Sequence, residues 1–338
     1  VDRVSPLLRV EDLHVSFVAD GRATPVLDGV SLIVDEGEIV ALAGETGCGK
    51  SLTVRTILRL LPPSARITHG RILYRGRDLL ALDERAFHHT YRGREIAMVF
   101  QDPASTLNPT LSVGEQVLDV LALRDGVGAG DRITRRREAL RREAVALLAR
   151  VRLPDPSALI NRYPFELSGG MRQRVLIALA LARHPRLLLA DEPATALDVS
   201  TQEQILLLFR RLRREMNLSL IYITHDLAVA REISDRIYVL YAGQTVETAA
   251  TGRVFDRPLH PYTQGLLASV PRFDGYLGQG IIGTVPDYSD RLPACRYASR
   301  CPHRMAICET QRPAPTAAEP GHEVACHLYS AAPPAGEG

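Results

Sequence analysis

Three short stretches carry side chains that could act on a nucleotide. Gly44-Glu45-Thr46-Gly47-Cys48-Gly49-Lys50-Ser51 fits the spacing G-x-x-x-x-G-K-S, in which glycines let backbone N–H groups turn inward around phosphates. The start of a helix adds partial positive charge there. Lys50 then reaches the terminal phosphates, Ser51 ligates Mg²⁺, and Leu52 follows it in the nucleotide contact. Lys50 is also the only lysine among 41 basic residues, so a compact ammonium on a flexible stem is kept where a guanidinium would not serve. Leu187 to Ala190 is an apolar run ending in Asp191 and Glu192, which suits a Mg²⁺-organising acid beside one that polarises water. Ser168-Gly169-Gly170 offers a second anion site at a helix start. Read alone, a serine N-cap with a glycine turn is the favoured reading.

In Leu167-Ser168-Gly169-Gly170-Met171-Arg172-Gln173 the chain resembles the signature sequence of ABC ATPases. The resemblance implies that Ser168, Gly169 and Gly170 close over the nucleotide of an opposing subunit. It places Gln101 in the Q-loop near the metal, Asp198 in the D-loop, and His225 as the switch histidine on the terminal phosphate. His225 alone would read as a strand-end histidine. Phe17 falls where the family stacks an aromatic on adenine, with a core phenylalanine as the competing reading.

The elements that must hold these residues follow from local pattern. Turns at Asp20-Gly21 and Glu36-Gly37 separate short strands from Leu8 to Val40, and Ile39 to Ala43 is an apolar strand leading into the glycine loop. Further strands are expected at Arg71 to Leu80, Ile96 to Phe100, Leu187 to Leu189 and Leu218 to Ile223. Helices are expected from Val113 to about Leu153, at Gln202 to Arg214 and at Leu227 to Ile233, the Arg135 to Arg142 run being a solvated face. This βα alternation implies a mostly parallel α/β sheet. The family adds detail to that fold class: a P-loop NTPase core with a RecA-like parallel sheet, an antiparallel β subdomain and an inserted helical subdomain. The expected division is a nucleotide-binding domain over 1–259, with helices at about 102–167, a C-terminal domain over 260–330, and a disordered tail over 331–338.

A net charge of +2 gives no field for nucleic acid or an anionic membrane. Val175 to Ala182 is far short of the roughly 20 residues that span a bilayer, and charges scattered over Val1 to Val15 do not support export. The expected place is the cytoplasmic face of the membrane, peripherally. A single cassette with about a hundred residues between Ser51 and Ser168 excludes the coiled-coil ATPases of DNA repair and the tandem translation factors.

The narrower resemblance is to ATP-binding subunits of bacterial dipeptide, oligopeptide and nickel importers. Gln101-Asp102-Pro103 through Asn108-Pro109, His260-Pro261-Tyr262-Thr263 through Val270-Pro271-Arg272, and the series Cys295, Cys301, Cys308, Cys326 carry it. It implies two membrane permease subunits, a second ATPase subunit and an external substrate-binding protein as partners. Peptide uptake is the expected role, with nickel or another small solute as the alternative, and then an exporter or a soluble ABC ATPase. ATP and Mg²⁺ are the expected ligands. The four loosely spaced cysteines, in a compartment that keeps thiols reduced, suit a [4Fe–4S] cluster, with zinc or unliganded thiols as alternatives. Because Pro-rich sequence has little core, the cluster is expected to act as a staple. Lying far along the chain from every nucleotide motif, it should touch tail stability before phosphate chemistry.

Overall fold

Alternation buries Leu8 and Val10, and after a register shift between Val10 and Leu13 it buries Leu13 and Val15, on the strand Leu8–Ala19. In the computed structural model, which describes residues 5–124, 134–270, 278, 280–288 and 294–330, the chain forms two compact units. One comprises Val1–Ala81 with Tyr222–Gly338, the other Leu82–Ile221. The tail expected at 331–338, and Pro271 and Arg272, lie outside the described residues.

In the first unit Leu8–Ala19 pairs antiparallel with Arg22–Val34 and with Ala65–Tyr74, which pairs in turn with Arg77–Asp78. The turn at Asp20 and Gly21 has φ of 50° and 73°, the left-handed pair that matches strand twist. Strand Ile39–Ala43 is buried at every residue, as expected of a strand covered on both faces. It runs parallel to Arg236–Tyr241, which pairs antiparallel with Gln244–Ala250.

The C-terminal region packs onto this core. His322–Val324 pairs with Gln244–Ala250 and with Thr316–Glu319, extending the cassette sheet by a hairpin. Tyr262 and Tyr297, 0% and 3% exposed, pack with Tyr241 at ring separations of 4.6 and 5.0 Å. Buried Glu247 holds His322 Nε2 at 2.7 Å and accepts the N–H groups of Leu259 and His260 at 2.8 and 2.9 Å. Its carboxylate is thereby satisfied without water.

In the second unit Ile96–Val99 runs parallel to Leu187–Asp191. Helices Val113–Arg124, Thr134–Arg150 and Gly169–Leu181 pack on one another. The helix Val199–Met216 buries Ile205, Leu208, Phe209 and Leu212, an i, i+3, i+4, i+7 stripe. It ends at Asn217 in the left-handed conformation, φ 50°. Strand Ser219–Thr224 carries the chain back into the first unit. No helix among the described residues is long and apolar enough to cross a membrane.

Candidate nucleotide site

The phosphate-loop sequence lies in the first unit, between strand Ile39–Ala43 and helix Lys50–Ile57. Gly44 has φ 149°, and a Cβ there would sit 2.2 Å from the carbonyl oxygen of Leu240. Only glycine lets the loop leave the strand so close to its neighbour. Gly49, φ 102°, caps the helix, while Gly47, φ 84°, faces open space. Thr46 and Gly47 are exposed and Ser51 and Leu52 half-buried, so the loop's outer edge is open to a ligand.

Lys50 is 5% exposed, with its ammonium donating to the carbonyls of Gly44 at 2.7 Å and Glu45 at 3.0 Å. A charge held this way is paired without a carboxylate and stays at the mouth of the loop. Cys48 is fully buried beneath it. Burial pushes its thiol up against the opposing pull of Lys50, which suits an inert filler. Phe17 is half-buried on the first strand, opposite Thr24 and Ala65. His225 is exposed directly after strand Ser219–Thr224, and Asp226 beside it caps the next helix.

Three features of the loop were not expected from sequence. Tyr262 Oη accepts the Glu45 N–H at 2.8 Å, Tyr288 Oη donates to the Gly47 carbonyl at 3.0 Å, and Arg300 grips the Glu45 carboxylate with both terminal nitrogens, at 2.6 and 3.0 Å. Burial pushes both phenols up, so each keeps its proton. The cysteine region is far along the chain from the loop but reaches it in space: Arg300 directly precedes Cys301 and binds Glu45. A stretch of 255 residues separates Arg300 from Glu45, and no local signal in either segment announces the pairing.

The second unit collects the remaining motifs. Asp191 ends its strand buried, 1% exposed, and Glu192 follows with φ 45°, a strained conformation for a non-glycine residue. That turn swings the Glu192 carboxylate out of the strand direction. Its Oε2 accepts from Gln101 Nε2 at 3.3 Å and from Thr195 Oγ1 at 3.2 Å. Gln101 thus meets the second acid of the pair. A cavity of about 160 Å³ is lined by Gln101, Asp102, Gly169, Gln173 and Leu197 among others, bringing the Q-loop, signature and D-loop stretches together.

Ser168 caps helix Gly169–Leu181, accepting the Met171 N–H at 3.3 Å, so its capping role is real and its exposed glycine turn remains available. A Cβ on Gly170 would meet Thr201 at 2.5 Å. Asp198 caps the helix Val199–Met216. Hydrogen bonds from the Ser200 hydroxyl, then the Thr201 amide and hydroxyl, hold its carboxyl down to about 2.

The four C-terminal cysteines share one neighbourhood in the first unit. The Cys295 N–H donates to the Cys308 carbonyl at 2.9 Å. Burial first, and then the proximity of Cys308, Cys326 and Cys301, push the Cys295 thiol up to about 11. Among the described residues no three His, Cys, Asp or Glu side chains converge as a single metal ion requires.

The chain is similar to known proteins over most of its length. The ABC transporter family matches residues 27–195, and the family described as the C-terminal region of oligopeptide/dipeptide transporters matches residues 246–308. The chain is 44% identical to the dipeptide transport ATP-binding protein DppD of Bacillus subtilis, over 95% of this chain and 94% of that one. It is equally 44% identical to the oligopeptide transport ATP-binding protein OppD of the same organism, over 92% and 86%. Among solved structures it is similar to the dimeric post-hydrolysis state of the ATP-binding cassette MJ0796 bound to ADP and Pi. That match has 30% identity and a TM-score of 0.61, over 72% of this chain and 98% of that one.

Proposed function

The chain belongs to the ABC transporter family, and from that premise we propose that it is the ATP-hydrolysing subunit of a peptide importer, bound peripherally to the cytoplasmic face of the membrane. The observation that carries this reading is the joining of a nucleotide cassette to the C-terminal region of oligopeptide and dipeptide transporters in one chain. Relatives named for dipeptide and oligopeptide transport, matched over nearly their whole length, support it.

The proposed chemistry is in-line attack of water on the γ-phosphorus of ATP. A new P–O bond forms, the bond between the γ-phosphorus and the bridging oxygen breaks, and ADP leaves with that electron pair. Ser51, Gln101 and Asp191 are the residues that would hold Mg²⁺, which when bound would neutralise charge on the phosphates. Lys50 and the amides of Gly44 to Ser51 hold the phosphates. Glu192 accepts the proton of the attacking water, His225 orients the terminal phosphate, and Phe17 covers the adenine. Ser168, Gly169, Gly170 and Asp198 serve the site of a second ATPase subunit, so that two nucleotides are shared across a dimer. The helical subdomain is placed at about 102–167 and the C-terminal domain over 260–330, with Gln101 as the residue that senses the membrane partner. An external substrate-binding protein would deliver the peptide.

Purification of the tagged chain from its native membranes tests this reading. Two integral permease subunits encoded with a peptide-binding protein should co-purify, and peptide-loaded binding protein should stimulate ATP turnover. Recovery with exporter subunits, or with no membrane protein, would reject it.

For Cys295, Cys301, Cys308 and Cys326 we keep a [4Fe–4S] cluster as the ligand. The donor set is chemically apt: four half-buried or buried thiols of one lobe, whose loose spacing along the chain lacks the tight cysteine pair usual for structural zinc. Protein purified without oxygen should be brown and contain iron and acid-labile sulfide in equal amounts, and should bleach on oxidation. A colourless protein with one zinc per chain would overturn the assignment.

A further inference from the structure

The phosphate loop is pinned from outside by residues that no nucleotide-binding motif contains. Glu45 is fixed at three points: its N–H by Tyr262, its carbonyl by Lys50, and its carboxylate by Arg300. Gly47 is fixed at its carbonyl by Tyr288. Peptide units are planar, so fixing a carbonyl also fixes the N–H of the following residue. Holding the carbonyls of Glu45 and Gly47 therefore orients the N–H groups of Thr46 and Cys48, the latter donating back to the Glu45 carbonyl at 3.3 Å and closing the loop on itself.

Arg300 is the centre of this clamp. Its side chain is 4% exposed, and beyond Glu45 its guanidinium donates to the carbonyls of Ile281 and Ile282 at 3.4 and 3.2 Å and to Tyr241 Oη at 3.4 Å. A bidentate fork onto a carboxylate fixes direction as well as distance. A second arginine repeats the pattern. Arg296, next to Cys295, is 5% exposed, donates to the carbonyl of Ala242, and pairs with Asp28 at 3.0 Å. The Gly243 that follows Ala242 donates its N–H to the Cys48 carbonyl at 2.9 Å. Two arginines rooted beside two of the four cysteines thus reach the loop and the turn that backs it.

We propose that Arg300, assisted by Tyr288, is a positioning residue for the phosphate loop, so that the cysteine-bearing region preorganises the nucleotide site. A loop already ordered loses less freedom when the nucleotide binds. Arg300 touches no reacting atom in this scheme; it acts through Glu45. The inference goes beyond peptide transport and needs only that the chain binds ATP.

The test is a double-mutant cycle on the purified full chain, read as the dissociation constant of a fluorescent ATP analogue and as the separate values of KM and kcat. Arg300→Gln should weaken binding about tenfold, the scale of one lost charge-assisted pair, with KM rising more than kcat falls. Glu45→Gln should do the same, and the double variant should be no weaker than either single one, because both remove one interaction. Arg300→Lys, which keeps charge but not the fork, should recover only part of the affinity. Wild-type affinity in Arg300→Gln, or losses that multiply in the double variant, would overturn the proposal. Should Arg300→Gln fail to fold, Tyr288→Phe decides. It removes one hydroxyl and leaves Arg300 and the four cysteines untouched, and should weaken binding severalfold; an unchanged dissociation constant would reject the clamp.

Discussion

Replacing Glu192 with Gln is expected to leave ATP binding intact and to slow hydrolysis by roughly 10²–10⁴-fold, the usual worth of a positioned general base. The change is nearly isosteric. A glutamine carbonyl oxygen can still accept from Gln101 and Thr195, which now meet Glu192 Oε2 at 3.3 and 3.2 Å, so the turn at φ 45° has no reason to relax. What disappears is the capacity to take a proton from water. A rate loss of that size corresponds to about 3–5 kcal/mol of barrier, more than any rearrangement of two exposed hydrogen bonds would supply. The measurement is a single-turnover assay beside nucleotide binding. Turnover within threefold of wild type would remove Glu192 from the proton-accepting role, and loss of binding would mean that the substitution disturbed the loop instead. The strained backbone adds an independent reason for the assignment, since unfavourable φ values persist where surrounding structure enforces them.

The parts of this site that were legible in the sequence are those whose chemistry is set by neighbours in the chain. Gly44, Gly47 and Gly49 announce a loop because only glycine adopts their φ values or accepts their close contacts, and these are local facts. Helix Leu227–Ile233 was read at its observed bounds, and Val199–Met216 to within three residues at its start, because capping aspartates and apolar spacing are local too. The C-terminal hairpin was not legible. His322–Val324 and Thr316–Glu319 are three and four residues long, and become strands only because Gln244–Ala250 offers an edge to pair with and Glu247 a buried carboxylate to bind. The same holds for Arg300 and Tyr288. In a chain where almost every basic residue is arginine, one more beside a cysteine carries no signal, and its partner is set by tertiary packing alone. Ser168 and Asp198 show a different limit. Ser168 reads as closing over a partner's nucleotide and Asp198 as a D-loop residue of the nucleotide site, and each is also a helix cap in its own chain, so substitution there mixes fold with function in a way that Glu192 does not.

Exchanging Lys50 for Arg is expected to abolish most activity although the charge is kept, with hydrolysis falling at least about 10²-fold, the cost of misplacing a catalytic group by about an ångström. The ammonium occupies a narrow place: it is 5% exposed, within 2.7 Å of the Gly44 carbonyl and 3.0 Å of the Glu45 carbonyl, with Cys48 Sγ 3.8 Å away. Three rotatable N–H donors on a compact head can turn from those carbonyls to phosphate oxygens without moving the stem. A guanidinium is planar and broad, presents its donors in a fixed fork, and would have to push the loop outward to fit. Glu45 resists that displacement, being held at its N–H by Tyr262 and at its carboxylate by Arg300. The composition of the chain makes the experiment sharper, because 40 of its 41 basic residues already are arginine and Lys50 alone is not. Nucleotide affinity and turnover of Lys50→Arg, measured beside Lys50→Ala, separate charge from shape. Both variants should turn over ATP poorly, with Lys50→Arg keeping the better affinity. If Lys50→Arg hydrolysed ATP at a third or more of the wild-type rate, the lysine would be needed only as a cation, and the geometric account of the loop would fail.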